Sequence, residues 1–244
     1  CVRCVCVCVC GGAACGVPDS RSESPTKSRS SSLSPRRTAA LKFRKLLTAV
    51  VKLGTASFLR PDLSGLALST LAALVEALID LRRQAKASVI LFSLGAVGWL
   101  RLKLALRPEG TAALQAMAAI GQPHLMRYYD ELFSALSQPI AQVLLSADAL
   151  DSKSGYQNAQ ATFAELLRRG VIPVVNENDS VAISELKFGD NETLSALVGT
   201  MVGARWLFLA TDVDALYTSN PTAPPKPGEP PAEPIREVAD VAAA

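Results

Sequence analysis

Polar residues able to do chemistry fall in four short clusters: Lys52-Leu53-Gly54-Thr55, Asn176-Glu177-Asn178-Asp179, Lys187 to Asn191 (KFGDN), and Thr211-Asp212. Gly95 makes a fifth position of the same kind. A lysine supplies a point charge for an anion. Glycines let a ligand approach the backbone, and acids suit a cation such as Mg²⁺ or an ammonium group. Free N–H groups at a helix start favour bound anions. Together these are the requirements of phosphoryl transfer, where positive charge and alignment do most of the work. The chain has one histidine, His124. An acceptor that is already ionised at neutral pH, such as a carboxylate, needs no general base. No GxxxxGK[ST] loop and no GxGxxG turn occurs, which argues against a Walker-type NTPase or a nicotinamide enzyme.

These clusters follow short apolar runs. Segments 48–53 (TAVVKL), 88–93 (SVILFS), 140–145, 171–175 and 206–210 (WLFLA) read as strands of a buried parallel sheet. Between them, 64–83, 109–120, 123–136, 157–169 and 192–202 carry helical spacing, with Asn191 as the cap of the last and Gly170 as a helix stop. Pro123 is expected to open its own helix, where a missing N–H costs nothing. Alternating strands and helices predict an α/β fold, a three-layer αβα sandwich around a mainly parallel sheet. In such sheets ligands gather at the carboxyl ends of the strands, where the polar clusters lie.

The 49% hydrophobic content suffices for a sizeable core. The net charge of +3 is unevenly spread: residues 1–60 hold eleven Lys/Arg against two Asp/Glu. The basic character therefore belongs to a leader rather than to the body, and nucleic-acid binding is not expected. All six cysteines lie within residues 1–15, so no disulfide can staple the body. Their monotonous Cys-Val alternation, without histidine, reads as low-complexity sequence, and no metal site is expected. The expected organisation is a disordered leader at 1–46, Cys-rich and then Ser/Arg-rich, a catalytic domain at 47–220, and a Pro-rich tail at 221–244. No apolar run spans a membrane. A cytoplasmic location is expected, with a plastid or mitochondrion as the alternative if the Ser/Arg-rich stretch is a transit peptide.

The blocks VVKLGT (50–55), GQPHLM (121–126), AQVLL (141–145), VIPVVNENDSVA (171–182), KFGDNETLSALV (187–198) and TDVDALYT (211–218), in this order, resemble the amino acid kinase family and within it the glutamate 5-kinases. The resemblance covers about 50–221 and implies the amino acid kinase fold, incomplete at its C-terminus. It implies phosphoryl transfer from MgATP to the side-chain carboxylate of L-glutamate, the first step toward proline. ATP and Mg²⁺ are the implied cofactors. A homo-oligomer with proline as feedback inhibitor is implied as well. Residue by residue, it assigns Lys52 and Asp190 as catalytic, with Asp190 organising lysines or Mg²⁺. Lys52, Gly54, Thr211 and Asp212 are assigned to ATP, and Leu94, Gly95, Asp179 and Asn191 to the substrate.

The sequence departs from the family pattern at several points. Leu94 stands where the family has a substrate-touching serine, and a leucine offers no hydrogen bond unless Ser93 takes over by a shift of register. Glu192 replaces an aspartate, Ala215 replaces a glycine, and the glycine-rich GTGGMxTK-like segment of the ATP site has no counterpart. The alternatives are an inactive glutamate- or proline-binding homologue and another amino acid kinase, such as an acetylglutamate or aspartate kinase.

Overall fold

The computed structural model describes residues 3–8, 47–54, 59–60, 65–93, 110–181, 190–211, 215–219 and 230–235. The strands are β1 (Arg3–Cys8), β2 (Thr48–Leu53), β3 (Ser88–Ser93), β4 (Ile140–Leu145), β5 (Ile172–Glu177), β6 (Trp206–Thr211), β7 (Leu216–Tyr217) and β8 (Pro234–Ile235). The helices are α1 (Leu68–Gln84), α2 (Thr111–Ala135), α3 (Ala147–Asp151), α4 (Lys153–Arg168) and α5 (Asp190–Met201). The main sheet runs β4-β5-β3-β2-β6-β1. Its first five strands are mutually parallel, and β1 lies antiparallel on β6.

Every residue of β2, and all but the first of β3, is buried, as expected for strands covered on both faces. Strand alternation sorts their side chains into two cores. Val51, Leu53, Val89, Leu91, Ile172 and Val174 pack with α1 and α2. Val50, Ile90, Phe92, Val175 and Leu207 pack on the other face with Phe163 of α4 and Leu194 and Val198 of α5. The result is the three-layer sandwich expected from the sequence.

Helix boundaries differ from the sequence reading, each for a local reason. Segments 109–120 and 123–136 are one continuous helix, α2, with Pro123 inside it. An interior proline costs about 3 kcal/mol. Met117 and Ala118 before it, and Leu125, Tyr129 and Phe133 after it, are all buried, and each large apolar side chain so placed contributes about 1.5–3 kcal/mol. Burial on both sides outweighs the break. Helix α4 starts at Lys153 rather than 157, because Ser152 caps it by accepting from the Gly155 N–H at 3.0 Å. Helix α5 begins at Asp190, so Asn191 lies within its first turn rather than before it. Gly170 does end its helix, at φ +75°.

The ends of the chain also differ from the reading. Six residues of the expected disordered leader, Arg3–Cys8, form the edge strand β1. Cys-Val alternation has the period of a strand, and valine favours one, so a sequence that reads as low complexity can still complete a sheet edge. Within the Pro-rich tail, Pro234 and Ile235 pair with Tyr217 and Leu216, and the Thr218 N–H donates to the Glu233 carbonyl at 3.0 Å. Proline is tolerated on such an edge.

Candidate functional site

Strand register brings the carboxyl ends of four strands to one level. Leu53 pairs with Ser93 on one side and with Ala210 on the other, and Phe92 pairs with Val175. The carboxyl ends of β2, β3, β5 and β6 therefore open on a single edge. The Gly54 N–H donates to the Ala210 carbonyl at 3.0 Å, which closes β2 against β6 just below Thr211.

Lys52 follows the alternation that sends Val50 toward α5. Its side chain is only 8% exposed, and its ammonium pairs with the carboxylate of Glu192. Glu192 sits in the first turn of α5, where an acid also suits the helix dipole, and at 47% exposure it keeps contact with solvent. Ser195 Oγ donates to the Glu192 carbonyl at 2.7 Å and fixes that turn. Asp190 and Asn191 open the same helix. Among the described side chains the acid brought to Lys52 is Glu192; the side chains of Asp190 and Asn191 lie outside the described residues.

The loop after β5 carries Asp179. The Asn178 N–H donates to the Leu145 carbonyl at 2.6 Å, and the Val181 N–H to the Asn178 carbonyl at 3.1 Å. Ser180 Oγ donates to Asn178 Oδ1 at 2.7 Å. This tight turn holds Asp179 half-buried. Desolvation raises its carboxyl pKa from 3.8 to about 6. A partly desolvated carboxylate of this kind favours a cationic ligand group.

On the opposite face of the sheet two polar pairs lie beneath the edge. Asn176 Nδ2 donates to Gln122 Oε1 at 2.9 Å, and Asn176 Oδ1 accepts from the Glu177 N–H at 2.9 Å. Ser93 Oγ and the Tyr129 hydroxyl share a hydrogen bond of 2.7 Å. Ser93 is buried and committed to Tyr129, so in this structure it does not stand in for the serine that Leu94 replaces. The sequence reading missed Gln122 and Tyr129. One signal was present: Gln122 falls in register with the buried stripe of Met117, Ala118, Gly121, Leu125, Tyr129 and Phe133, and an amide on such a face needs a partner. Leu94, Gly95 and Asp212 lie outside the described residues.

A separate cavity of about 600 Å³ lies between α1 and the sheet, lined by Val51, Ala73, Ala77, Phe208 and Ala210 among others. No charged group among the described residues lines it. Among the described residues no three His, Cys, Asp or Glu side chains group to hold a metal ion.

The family model for the amino acid kinase family matches residues 48–239, a span that runs past 220 into the Pro-rich segment. A curated glutamate 5-kinase of Synechococcus elongatus is 55% identical over 196 residues, which is 80% of this chain and 52% of that protein. One of Nostoc sp. is 58% identical over 180 residues, 73% of this chain and 47% of that protein. The chain thus spans about half the length of these relatives. Among solved structures, a UMP kinase from Ureaplasma parvum overlays with a TM-score of 0.48 at 12% identity, covering 78% of this chain and 74% of that one, too distant to carry weight. The matched span takes in the strand-end site from Lys52 to Thr211, and this chain belongs to the amino acid kinase family.

Proposed function

We propose that this chain acts as a glutamate 5-kinase, transferring the terminal phosphoryl group of MgATP to the side-chain carboxylate of L-glutamate. The product would be L-glutamyl 5-phosphate, the first intermediate toward proline. A carboxylate oxygen of glutamate joins the γ-phosphorus as the bond to the departing ADP oxygen breaks, and no proton has to move. The observation that carries this reading is the buried Lys52, paired with the half-exposed Glu192, on the same sheet edge as the half-buried Asp179. The names of the similar curated proteins support it.

Lys52 would hold the phosphates, with Gly54 allowing close approach and Thr211 and Asp212 on the nucleotide side. A buried ammonium whose counter-ion can swing into water fits an incoming phosphate. Mg²⁺, when bound with ATP, supplies further neutralisation of phosphate charge. Asp179 would face the substrate ammonium, with Asn191 at the start of α5 and the Leu94-Gly95 step completing the acceptor side. Asp190, in the same turn as Glu192, would help organise the charges. A cytoplasmic homo-oligomer inhibited by proline is the assembly that goes with this activity. Among the described residues no helix is long and apolar enough to cross a membrane.

The role of Asp179 sets the test. Calorimetry with L-glutamate, L-aspartate and N-acetyl-L-glutamate is expected to show heat of binding for glutamate alone, because acetylation removes the ammonium and aspartate is one methylene short. Tighter binding of N-acetylglutamate would overturn the reading in favour of an acetylglutamate kinase.

A further inference from the structure

Helix α2 touches the sheet's carboxyl edge through polar side chains at two points. Gln122 and Tyr129 are seven residues apart on one helix face, about 10 Å along the axis. Their partners, Asn176 and Ser93, lie at the carboxyl ends of neighbouring strands, each one residue beyond the Val175–Phe92 pair. All four side chains are buried, from 0% exposed for Tyr129 to 9% for Gln122. Asn176 uses both ends of its amide: the nitrogen donates to Gln122, and the oxygen holds the N–H of Glu177, the last residue of β5 before the loop that carries Asp179. Ser93 is the last residue of the strand that leads into Leu94 and Gly95. Burial pushes the Tyr129 hydroxyl well above its usual pKa, so it stays a neutral partner for Ser93 throughout the ordinary pH range.

We propose that Gln122 and Tyr129 are positioning residues for the acceptor half of the site, acting through Asn176 and Ser93 to fix the carboxyl ends of β5 and β3. The proposal rests on the glutamate reading for its ligand, but its mechanical part stands on the hydrogen bonds alone. Removing the Gln122 acceptor leaves a buried Asn176 N–H without a partner. The side chain then turns and releases the Glu177 peptide. Small displacements at such a root carry large costs in ligand alignment. The nucleotide side hangs on β2 and β6, which α2 does not hold through these bonds.

The test uses Gln122→Met in the full chain, a near-isosteric change that removes the side-chain amide and with it the acceptor for Asn176. Two quantities are read: amide exchange at Glu177, Asn178 and Val181, and the affinities for glutamate and for a non-hydrolysable ATP analogue. Exchange at Glu177 is expected to rise about tenfold, and glutamate affinity to fall about tenfold, with nucleotide affinity held within about twofold. Gln122→Glu, which keeps an oxygen acceptor, should return Glu177 to slow exchange, and Tyr129→Phe should give a smaller, glutamate-selective loss. Unchanged exchange at 177–181, or an equal rise over the whole sheet, overturns the proposal. If the unmodified chain binds no glutamate while Gln122→Met still loosens 177–181 alone, the positioning role stands and the glutamate reading falls. Should Gln122→Met fail to fold, Tyr129→Phe decides: equal losses for glutamate and nucleotide would overturn the proposal.

Discussion

Lys52→Met is expected to lower glutamyl phosphate formation by about 10²–10³ and yet leave the fold as stable as before. The asymmetry of the Lys52–Glu192 pair is the reason. Lys52 is buried, whereas Glu192 is 47% exposed. Removing the lysine leaves a carboxylate that can turn into water. Removing the carboxylate leaves an ammonium sealed beneath α5. Glu192→Gln is therefore expected to cost stability, by about 1–3 kcal/mol, where Lys52→Met costs almost none. With the Glu192 charge gone, the Glu192→Gln protein should also gain more from ATP than the unmodified chain does, since a phosphate replaces the lost counter-charge and binding to the native state alone raises its stability. Urea unfolding of both variants, with and without ATP, measures all of this. Equal destabilisation by the two substitutions would show that Lys52 is held by packing rather than poised for an anion.

Asp179→Asn is expected to move stability and binding in opposite directions. The Asp179 carboxyl has its pKa raised to about 6 by desolvation, so the folded protein holds this proton more tightly than the unfolded chain. The contribution to stability is then most favourable below about pH 4. It is lost as pH rises through about 6. Asparagine removes the desolvated charge without changing shape, so the variant should unfold at higher urea than the parent at pH 7 to 8, and the gap should close toward pH 4. Ligand binding follows the reverse logic. An ammonium partner stabilises the carboxylate, so glutamate affinity of the parent should rise with pH up to and through about 6. The asparagine variant should lose this dependence along with at least about tenfold in affinity. Calorimetry between pH 5 and 8 gives both curves. Glutamate affinity unchanged by the substitution would remove Asp179 from the site.

The sheet was legible because its strands are nearly pure apolar runs. Thr48–Leu53, Ser88–Ser93 and Ile140–Leu145 match the sequence reading residue for residue, and the strand-end rule then located Lys52 and the NEND loop. What escaped was whatever tertiary contacts decide. Pro123 looks like a helix start by local rules and is an interior residue, because the packing of Leu125, Tyr129 and Phe133 outweighs it. Arg3–Cys8 looks like low-complexity sequence until β6 offers an edge. Glu192 was noted only as a longer substitute for aspartate, since nothing local shows that α5 brings it to a lysine 140 residues earlier. Gln122 and Tyr129 look like core positions by periodicity, which they are; their polar ends acquire meaning only once β3 and β5 end beside them.

The most direct measurement of the central claim is MgATP-dependent formation of γ-glutamyl hydroxamate by the purified chain in hydroxylamine, with L-glutamate, L-aspartate and N-acetyl-L-glutamate as acceptors. Product with glutamate alone, lost in Lys52→Met, is the predicted result. No product from protein shown to be folded and to bind glutamate would contradict the claim that this chain transfers a phosphoryl group.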